Sequence, residues 1–170
     1  IADLAADGIR AAIDGFKELA AEGDTALNAL QTKTGATAEQ MEDYRQIMNN
    51  LYSNNYGDNR GDVANSIAEV KQQLGDISAE QLEKVTETAL LLRDTFDFDV
   101  NESIRSAKML MQQFEISADE AYTLIAQGAQ SGLNKNGDLM DVINEYSVHY
   151  KQMGYSAEEF FNSLSNGTEA

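Results

Sequence analysis

The feature that most constrains this chain is a helix-start signal that occurs four times at nearly constant spacing. In each copy a Ser or Thr is followed by Ala, and the third residue after it is Glu or Gln. The copies begin at Thr37, Ser78, Ser117 and Ser156, so the last two intervals are equal and the first is only slightly longer. Such a hydroxyl accepts a hydrogen bond from a first-turn amide, and the Glu or Gln side chain accepts one from the N–H of the Ser or Thr. Four such capping boxes in register predict a repeated structural unit.

A second helix-start signal lies between the capping boxes. Asp99 and Asp138 are separated by the same interval as Ser78 and Ser117, and Asp62 precedes Asp99 by a slightly shorter one. Each of the three opens an amphipathic run that ends at the next capping box. Asp24, ahead of Thr37, is interpreted as a shortened first copy. The predicted unit is therefore a pair of helices, one opened by Asp and one opened by Ser or Thr.

The apolar residues within each run recur at steps of three and four, which is the spacing of one helix face. The stripes are Met41, Tyr44, Met48, Leu51 and Tyr52; Val63, Ile67, Val70 and Leu74; Leu82, Val85, Ala89, Leu92 and Phe96; Val100, Ile104, Ala107, Leu110 and Phe114; Ala121, Leu124 and Ile125; Leu139, Val142 or Ile143, Tyr146, Tyr150 and Met153; and Phe160, Phe161 and Leu164. Pro is absent, so no position is barred from a helix. The predicted helix ends are Gly75, Gly132, Gly137, Gly154 and Gly167.

These patterns predict an all-α fold. A helix pair of about 40 residues cannot cover its own apolar stripe and has to pack on its neighbours. We therefore expect stacked helical hairpins that form either an irregular bundle or a short solenoid. The predicted domains are an N-terminal helical segment at 1–34 and a helical-repeat domain at 35–170, with units at 35–75, 76–114, 115–153 and, in part, 154–170.

The charge of the chain restricts its partners. Twelve basic and 29 acidic residues give a formal net charge of −17. Such a chain repels phosphate backbones and anionic lipid headgroups, so we expect no binding of nucleic acid or membrane by this segment. The acids are interpreted as solvated helix faces, with a face that recognises a basic partner as the alternative. The absence of Cys excludes thiolate metal sites and disulfides.

Few residues are candidates for chemistry. His149 is the single histidine and lies one helical step from the predicted core stripe, which favours a packing role. The segment from Asn134 to Asp138 carries oxygen ligands at alternate positions, but its glycine is one residue early for a calcium-binding EF-hand loop, and Glu145, at the twelfth position, fits as an ordinary helix residue. We interpret the segment as a turn and a helix cap, with weak cation binding as the alternative.

The paired carboxylates at 119–120 and 158–159 lie in predicted first turns, where the helix dipole favours acidic residues. The tripeptide Arg60-Gly61-Asp62 matches a short adhesion motif, but its Asp already has a capping role. We therefore predict that the chain is not an enzyme and has no catalytic, cofactor-binding or metal-binding residues.

From about Gly61 onward the sequence resembles phage tail tape-measure proteins. The residues that carry the resemblance are Leu-Ile-Ala-Gln-Gly-Ala-Gln at 124–130, Asn-Gly-Asp-Leu at 136–139, Asn-Glu-Tyr-Ser at 144–147, Met-Gly-Tyr-Ser-Ala-Glu-Glu at 153–159, Ser-Asn-Gly-Thr-Glu-Ala at 165–170, and, earlier, Gly-Asp-Val-Ala-Asn at 61–65 with Glu69-Val70. The part before Tyr56 is similar only as a generic helical sequence. The start at Ile1 predicts a piece cut from a longer protein.

The resemblance implies a structural role in the virion tail. Tape-measure proteins are long helical chains that set tail length during assembly, and this segment would act through packing against itself, the tail tube or assembly chaperones, after synthesis in the host cytoplasm. A stand-alone helical-repeat module that binds a protein is the alternative, and a cell-wall hydrolase is a third, weaker one. Nothing in the resemblance implies a cofactor.

Overall fold

The computed structural model describes residues 2–168, with side chains described at 14, 15 and 17–167. The described part is all-α, as predicted, and contains no strand. Its helices are α1 (Ala2–Thr34), α2 (Ala38–Ser53), α3 (Arg60–Leu74), α4 (Ala79–Phe96), α5 (Val100–Phe114), α6 (Ala118–Gln130), α7 (Leu139–Gln152) and α8 (Ala157–Thr168). Among the described residues, none of these helices has the combination of length and hydrophobicity that crossing a bilayer requires.

All four predicted capping boxes form. Thr37, Ser78, Ser117 and Ser156 each precede a helix, and each hydroxyl accepts a hydrogen bond from the backbone N–H three residues on, at 3.2–3.3 Å. The return bond to the N–H of the cap residue is 3.0–3.2 Å where the side chain is Gln. It is 2.8 Å where the side chain is Glu, because an ionised acceptor shortens the bond.

The Asp-led starts are confirmed at Asp99 and Asp138, each of which directly precedes a helix, and wrong at Asp62. Asp99 caps α5 by accepting a hydrogen bond from the Glu102 N–H at 2.9 Å. Asp62 lies within α3, and Asn59 is the residue whose side chain accepts the first-turn bond, at 2.9 Å. Asp138 precedes α7 without a side-chain cap bond.

The cap of α7 comes instead from Asn134, whose side-chain oxygen accepts the Leu139 N–H at 3.1 Å. An amide oxygen serves as well as a carboxylate at such a position. The positions directly before α3, α5 and α7 are therefore 59, 99 and 138, and the two intervals between them differ by a single position. The repeat is more regular than the sequence pattern indicated.

One further expectation is wrong. Asp24 does not open a short helix, because it lies inside α1. Gly23 costs only about 1 kcal/mol in a helix interior, which the surrounding Ala-rich sequence and the buried Ala26 and Leu27 outweigh. Gly167 lies in the last turn of α8, which ends at Thr168, so the predicted helix end there is confirmed. The other predicted glycine ends, at 75, 132, 137 and 154, adopt the left-handed conformation at φ +74° to +90°.

The chain forms two compact units, 1–68 and 69–170, and α3 runs through the division. In unit 1, α2 packs on α1, with Leu30, Ile47 and Met48 almost fully buried. The division into 1–34 and 35–170 was derived from the repeat rather than from compactness, and it stays a prediction.

Unit 2 consists of helices arranged as two sets of neighbours. The Ser-capped helices α4, α6 and α8 pack side by side in that order, and α5 packs on α7. Consecutive helices contact each other within the pairs α4–α5, α5–α6 and α7–α8. Each helix pair therefore repeats the position of the one before it, which is the stacked-hairpin arrangement that the repeat predicts. The core between the two sets contains Leu90, Ile104, Leu110, Ile125, Ile143 and Phe160, each almost inaccessible to solvent.

Candidate functional site

The candidate interaction sites are two equivalent grooves in unit 2, each between the first turns of neighbouring Ser-capped helices. The groove between α4 and α6 has a volume of about 490 Å³, and the groove between α6 and α8 has a volume of about 410 Å³. We name them groove A and groove B. They recur because the capping box holds each helix start at the same place in the repeat, which leaves a cleft between successive starts.

The two grooves differ in charge. In groove A the ammonium group of Lys84 on α4 contacts the carboxylate of Asp119 on α6. In groove B, one repeat later, Thr123 stands where Lys84 stands and Glu158 stands where Asp119 stands. Groove B therefore carries carboxylates without a lysine at the matching position.

Groove B also has an apolar floor. Leu124, the equivalent of Val85 in groove A, lines it together with Ile116 and Ala157. Asp119, Glu120 and Glu158 lie around this floor. An apolar strip between carboxylates suits an amphipathic segment that carries Lys or Arg.

Two carboxylates of unit 2, those of Glu120 and Asp76, have a lowered pKa. Hydrogen bonds from the backbone N–H and then the hydroxyl of Ser117 lower the pKa of Glu120 below its usual value, because they stabilise the ionised form. The pKa of Asp76 is lowered as well, by a hydrogen bond and ion pair with Lys71. Both groups therefore remain charged at neutral pH.

His149 lies on the exposed side of α7. Its neighbours along the predicted core stripe, Tyr146 and Met153, are also exposed, by 43% and 62%, so the expectation that they belong to the core is wrong. Tyr150 is half-buried against Tyr155 and Phe160, with ring centroids 5.2 and 4.8 Å away. The predicted stripe therefore divides: Leu139 and Ile143 are buried and Tyr150 is half-buried, whereas Tyr146 and Met153 are exposed to solvent.

The segment from Asn134 to Asp138 forms a turn before α7. The side-chain oxygen of Asn134 caps the helix, and Gly137 has a left-handed backbone at φ +75°. Among the described residues, no group of three His, Asp or Glu side chains is placed to hold a metal ion. The side-chain oxygen of Asn134 and the backbone carbonyls of Asn134 and Asp138 thus all accept hydrogen bonds within the turn and the start of α7.

The tripeptide Arg60-Gly61-Asp62 forms the first turn of α3. The guanidinium carbon of Arg60 lies 4.7 Å from the ring centre of Tyr52, a cation–π contact. The backbone N–H of Arg60 donates to the Glu22 carboxylate at 3.2 Å. The Asp62 carboxylate accepts the Asp58 N–H at 2.9 Å. The tripeptide therefore has structural contacts within unit 1 at both of its charged residues.

Unit 2 contains polar side chains that the sequence patterns did not reveal. Asn144 on α7 donates to the Ser106 hydroxyl on α5 at 2.9 Å and to the Met140 carbonyl at 2.8 Å. The Tyr122 hydroxyl on α6 is buried, and burial raises the pKa of Tyr122 well above its usual value, while the nearby Ser103 hydroxyl opposes this rise. The hydrogen bond between Asn144 and Ser106 therefore links α7 to α5 within the helix stack.

Sequence reasoning missed two kinds of residue. The caps Asn59 and Asn134 were missed because only Asp was sought at the repeat positions. The left-handed helix ends at Asp97 and Glu115, with φ +59° and +58°, were missed because only glycine was sought there. A search one repeat before Asp99 and one repeat after Gly75 finds Asn59 and Glu115 to within one position.

The comparison with known families identifies the class to which this repeat belongs. The chain belongs to the phage-related minor tail protein family, whose sequence model matches residues 49–170, more than half of the chain. It is therefore a structural component of the phage tail. The match extends the resemblance that the sequence showed from Gly61 onward to residue 49, which lies in the last part of α2.

A particular relative confirms the resemblance to tape-measure proteins. The chain is 37% identical over 79 residues to a probable tape measure protein of Streptomyces phage phiC31. The alignment covers 46% of this chain and 10% of that relative, so the chain spans only a small part of the relative's length. No solved structure matches the chain.

Proposed function

We propose that this segment is part of the chain that sets tail length during assembly, and that it acts without catalysis. The observation that carries the proposal is the repeated helix pair within a region that matches a tail protein family. A modular unit changes the length of a ruler in fixed steps when pairs are gained or lost. The proposal places synthesis in the host cytoplasm, before incorporation into the tail.

The length that each helix pair would add to the ruler depends on whether the pair is stacked or extended in the tail. A stacked pair adds about 10 Å, the distance between packed helices. The same pair drawn out as one continuous helix adds about 58 Å, at about 1.5 Å per residue. Tail length therefore reports both whether the segment is part of the ruler and in which state it serves.

The test removes residues 100–138 from the gene in its phage or prophage, which joins Asp99 to Leu139 in register. Tail lengths are then measured by electron microscopy. Shortening by about 58 Å supports an extended ruler, and shortening by about 10 Å supports a stacked one. Unchanged tail length contradicts the proposal. The control is Ile104→Asp, which disrupts the buried core of unit 2 without changing the number of residues.

The second candidate function is binding of a basic protein segment by a stand-alone helical-repeat module. Groove B favours it, because its apolar floor lies between Asp119, Glu120 and Glu158. The partners that fit are other tail proteins, such as tube subunits or assembly chaperones, with exposed Lys or Arg. Replacement of Glu158 by Lys should weaken capture of such a protein from purified tail components more than replacement of the exposed Glu102 does. Equal effects would count against groove B.

A further inference from the structure

The outer face of α7 is the open end of the helix stack in unit 2. Residues separated by the interval between Ser78 and Ser117, which is also the interval between Ser117 and Ser156, occupy equivalent positions in successive repeats. The surroundings of each α7 residue can therefore be compared with those of its α5 equivalent. The α5 residues Ala107, Leu110 and Phe114 are buried, with exposed fractions of 0–8%. Their equivalents are Tyr146 and His149 on α7 and Met153 directly after α7, and all three are exposed.

The reason for the difference is the neighbouring helix. In unit 2, α5 packs on α7 through Ser106, whose hydroxyl contacts the Met140 carbonyl and the Asn144 amide. Glu145, the α7 equivalent of Ser106, is exposed. On α5, this face is covered by α7. The equivalent face of α7, one repeat later, is not covered by any described helix.

The end of α8 shows the same feature independently. Gly128 on α6 fits closely against Phe161 on α8, since a Cβ at position 128 would lie 3.0 Å from the ring. The equivalent of Gly128 on α8 is Gly167, and no described atom lies within 4 Å of a Cβ built there. Its neighbour Leu164 is half-buried, whereas the equivalent Ile125 is fully buried. On α6, the surface around Gly128 is covered by α8. The equivalent surface on α8, around Gly167, is not covered by any described residue.

We propose that these two faces form one docking surface, made by Glu145, Tyr146 and His149 of α7, Met153 directly after α7, and Leu164 and Gly167 of α8. The occupant is another helix pair of the same repeat, supplied by a longer tail protein of which this segment is a part. The interface between the α5–α6 and α7–α8 pairs continues into this surface in the same register. The docking surface does not depend on length setting, because it rests on helix packing alone.

The chemistry of the occupant follows from the interface already present. Its first helix places a hydrogen-bond donor opposite Glu145, as Asn144 lies opposite Ser106. It carries a small residue opposite Tyr146, which is larger than Ala107. Its second helix places an aromatic ring against Gly167, as Phe161 lies against Gly128.

The test is an extended chain in which residues 129–167 are repeated once after Gly167, which continues the register. It is made with Tyr146 and with Tyr146→Ala in the first copy, because the duplicated helix was shaped to fit Ala107. In either form the added pair should be helical, resist proteolysis and raise the Tm. Cleavage of the added residues back to the original chain in both forms would overturn the proposal.

A second measurement tests the face itself. Tyr146→Glu should change the Tm of the original chain by no more than about 2 °C, because the residue is exposed. In the extended chain that folds, Glu at 146 should lower the Tm by more than about 4 °C, because the charge becomes buried. Leu91→Glu is the matched control, since Leu91 is 49% exposed on α4 and remains exposed in both chains. Equal effects of the two changes would contradict the proposal.

Analytical sedimentation of the original chain tests the alternative occupant of the docking surface, a second copy of the same chain. A monomer at all concentrations agrees with the proposal. A dimer that Tyr146→Glu dissociates and Leu91→Glu leaves intact would overturn it, because a second copy would then cover the surface.

Discussion

Gly128 on α6 lies against the ring of Phe161 on α8, so that a Cβ at position 128 would come within 3.0 Å of the ring carbon Cε1. Gly167 occupies the same position one repeat later without such a neighbour among the described atoms. The two glycines therefore form a natural pair in which the same substitution has opposite consequences.

We expect Gly128→Ala to lower the free energy of unfolding by about 1–2 kcal/mol, because overpacking exceeds the gain in helix propensity. Gly167→Ala should leave stability unchanged or raise it by up to about 1 kcal/mol. Urea unfolding of both variants measures the difference. Equal effects would show that α6 and α8 do not pack as closely as described.

Glu115 ends α5 with a left-handed backbone at φ +58°, where Gly75 and Gly154 end α3 and α7. A side chain costs about 1 kcal/mol or more in this conformation, so Glu115→Gly should raise the stability by about that amount. Gly154→Ala should lower the stability by a similar amount, because Gly154 also has a left-handed backbone. No described atom lies within 4 Å of the added Cβ, so a steric clash would not add to this cost. Thermal unfolding of the two variants checks both signs. A loss of stability in Glu115→Gly would contradict the assigned helix end.

The capping boxes predict a pH dependence that differs between repeats. The folded-state pKa of Glu120 is lowered, so its contribution to stability is present above its unfolded value and is lost as the pH falls through the folded value. Gln81 occupies the same place in the preceding box and does not titrate. Glu120→Gln should therefore reduce the loss of stability on acidification from neutral pH to below 4.5, compared with the unmodified chain.

The control for the pH dependence is Glu102→Gln, which removes a carboxylate from the first turn of α5 without removing a capping box. It accounts for the general relief of charge repulsion as carboxylates are protonated. If Glu120→Gln and Glu102→Gln have the same pH profile of stability, the capping bond does not control the titration of Glu120.

Ser106 and Asn144 are predicted to be coupled. Their side chains form a hydrogen bond of 2.9 Å between α5 and α7, at a site where Ser106 is fully buried. A double-mutant cycle with Ser106→Ala and Asn144→Ala should give a coupling free energy of about 0.5–1.5 kcal/mol. Additive effects would show that the two residues do not share this bond. The pair Ser106→Ala and Glu80→Gln should be additive, since Glu80 is exposed in the first turn of α4 and lies on a different helix from Ser106 and Asn144.

Much of this fold follows from the sequence because its helix starts are local signals. A hydroxyl with Glu or Gln three residues on, as at Ser117 and Glu120, specifies a helix start whatever packs nearby. The buried stripe of α5, from Val100 to Phe114, was likewise predictable, because the helix is covered on the side that its apolar residues define.

The remainder depends on neighbours that no local pattern reveals. Tyr146 on α7 and Met153 directly after it continue an apolar stripe, yet they are exposed because no described helix lies against them. Periodicity identifies an apolar face but not whether another helix covers it. Asp24 has the local features of a helix cap, yet α1 continues through it because burial of the following residues outweighs a local preference. Grooves A and B could not be predicted from local sequence patterns either, since each lies between helices that are a full repeat apart in the chain.

The central claim is that a pair of helices, repeated at the interval that separates Ser78, Ser117 and Ser156, is the structural unit of this chain. Its most direct test is the purified chain lacking residues 100–138, studied by circular dichroism and thermal unfolding. The claim predicts a folded protein with the same helical fraction and one cooperative transition for the shortened unit 2. Removal of residues 100–129, which breaks the register, is the matched control and should abolish that transition. Loss of cooperative unfolding in both deletions, or its retention in both, would contradict the repeat.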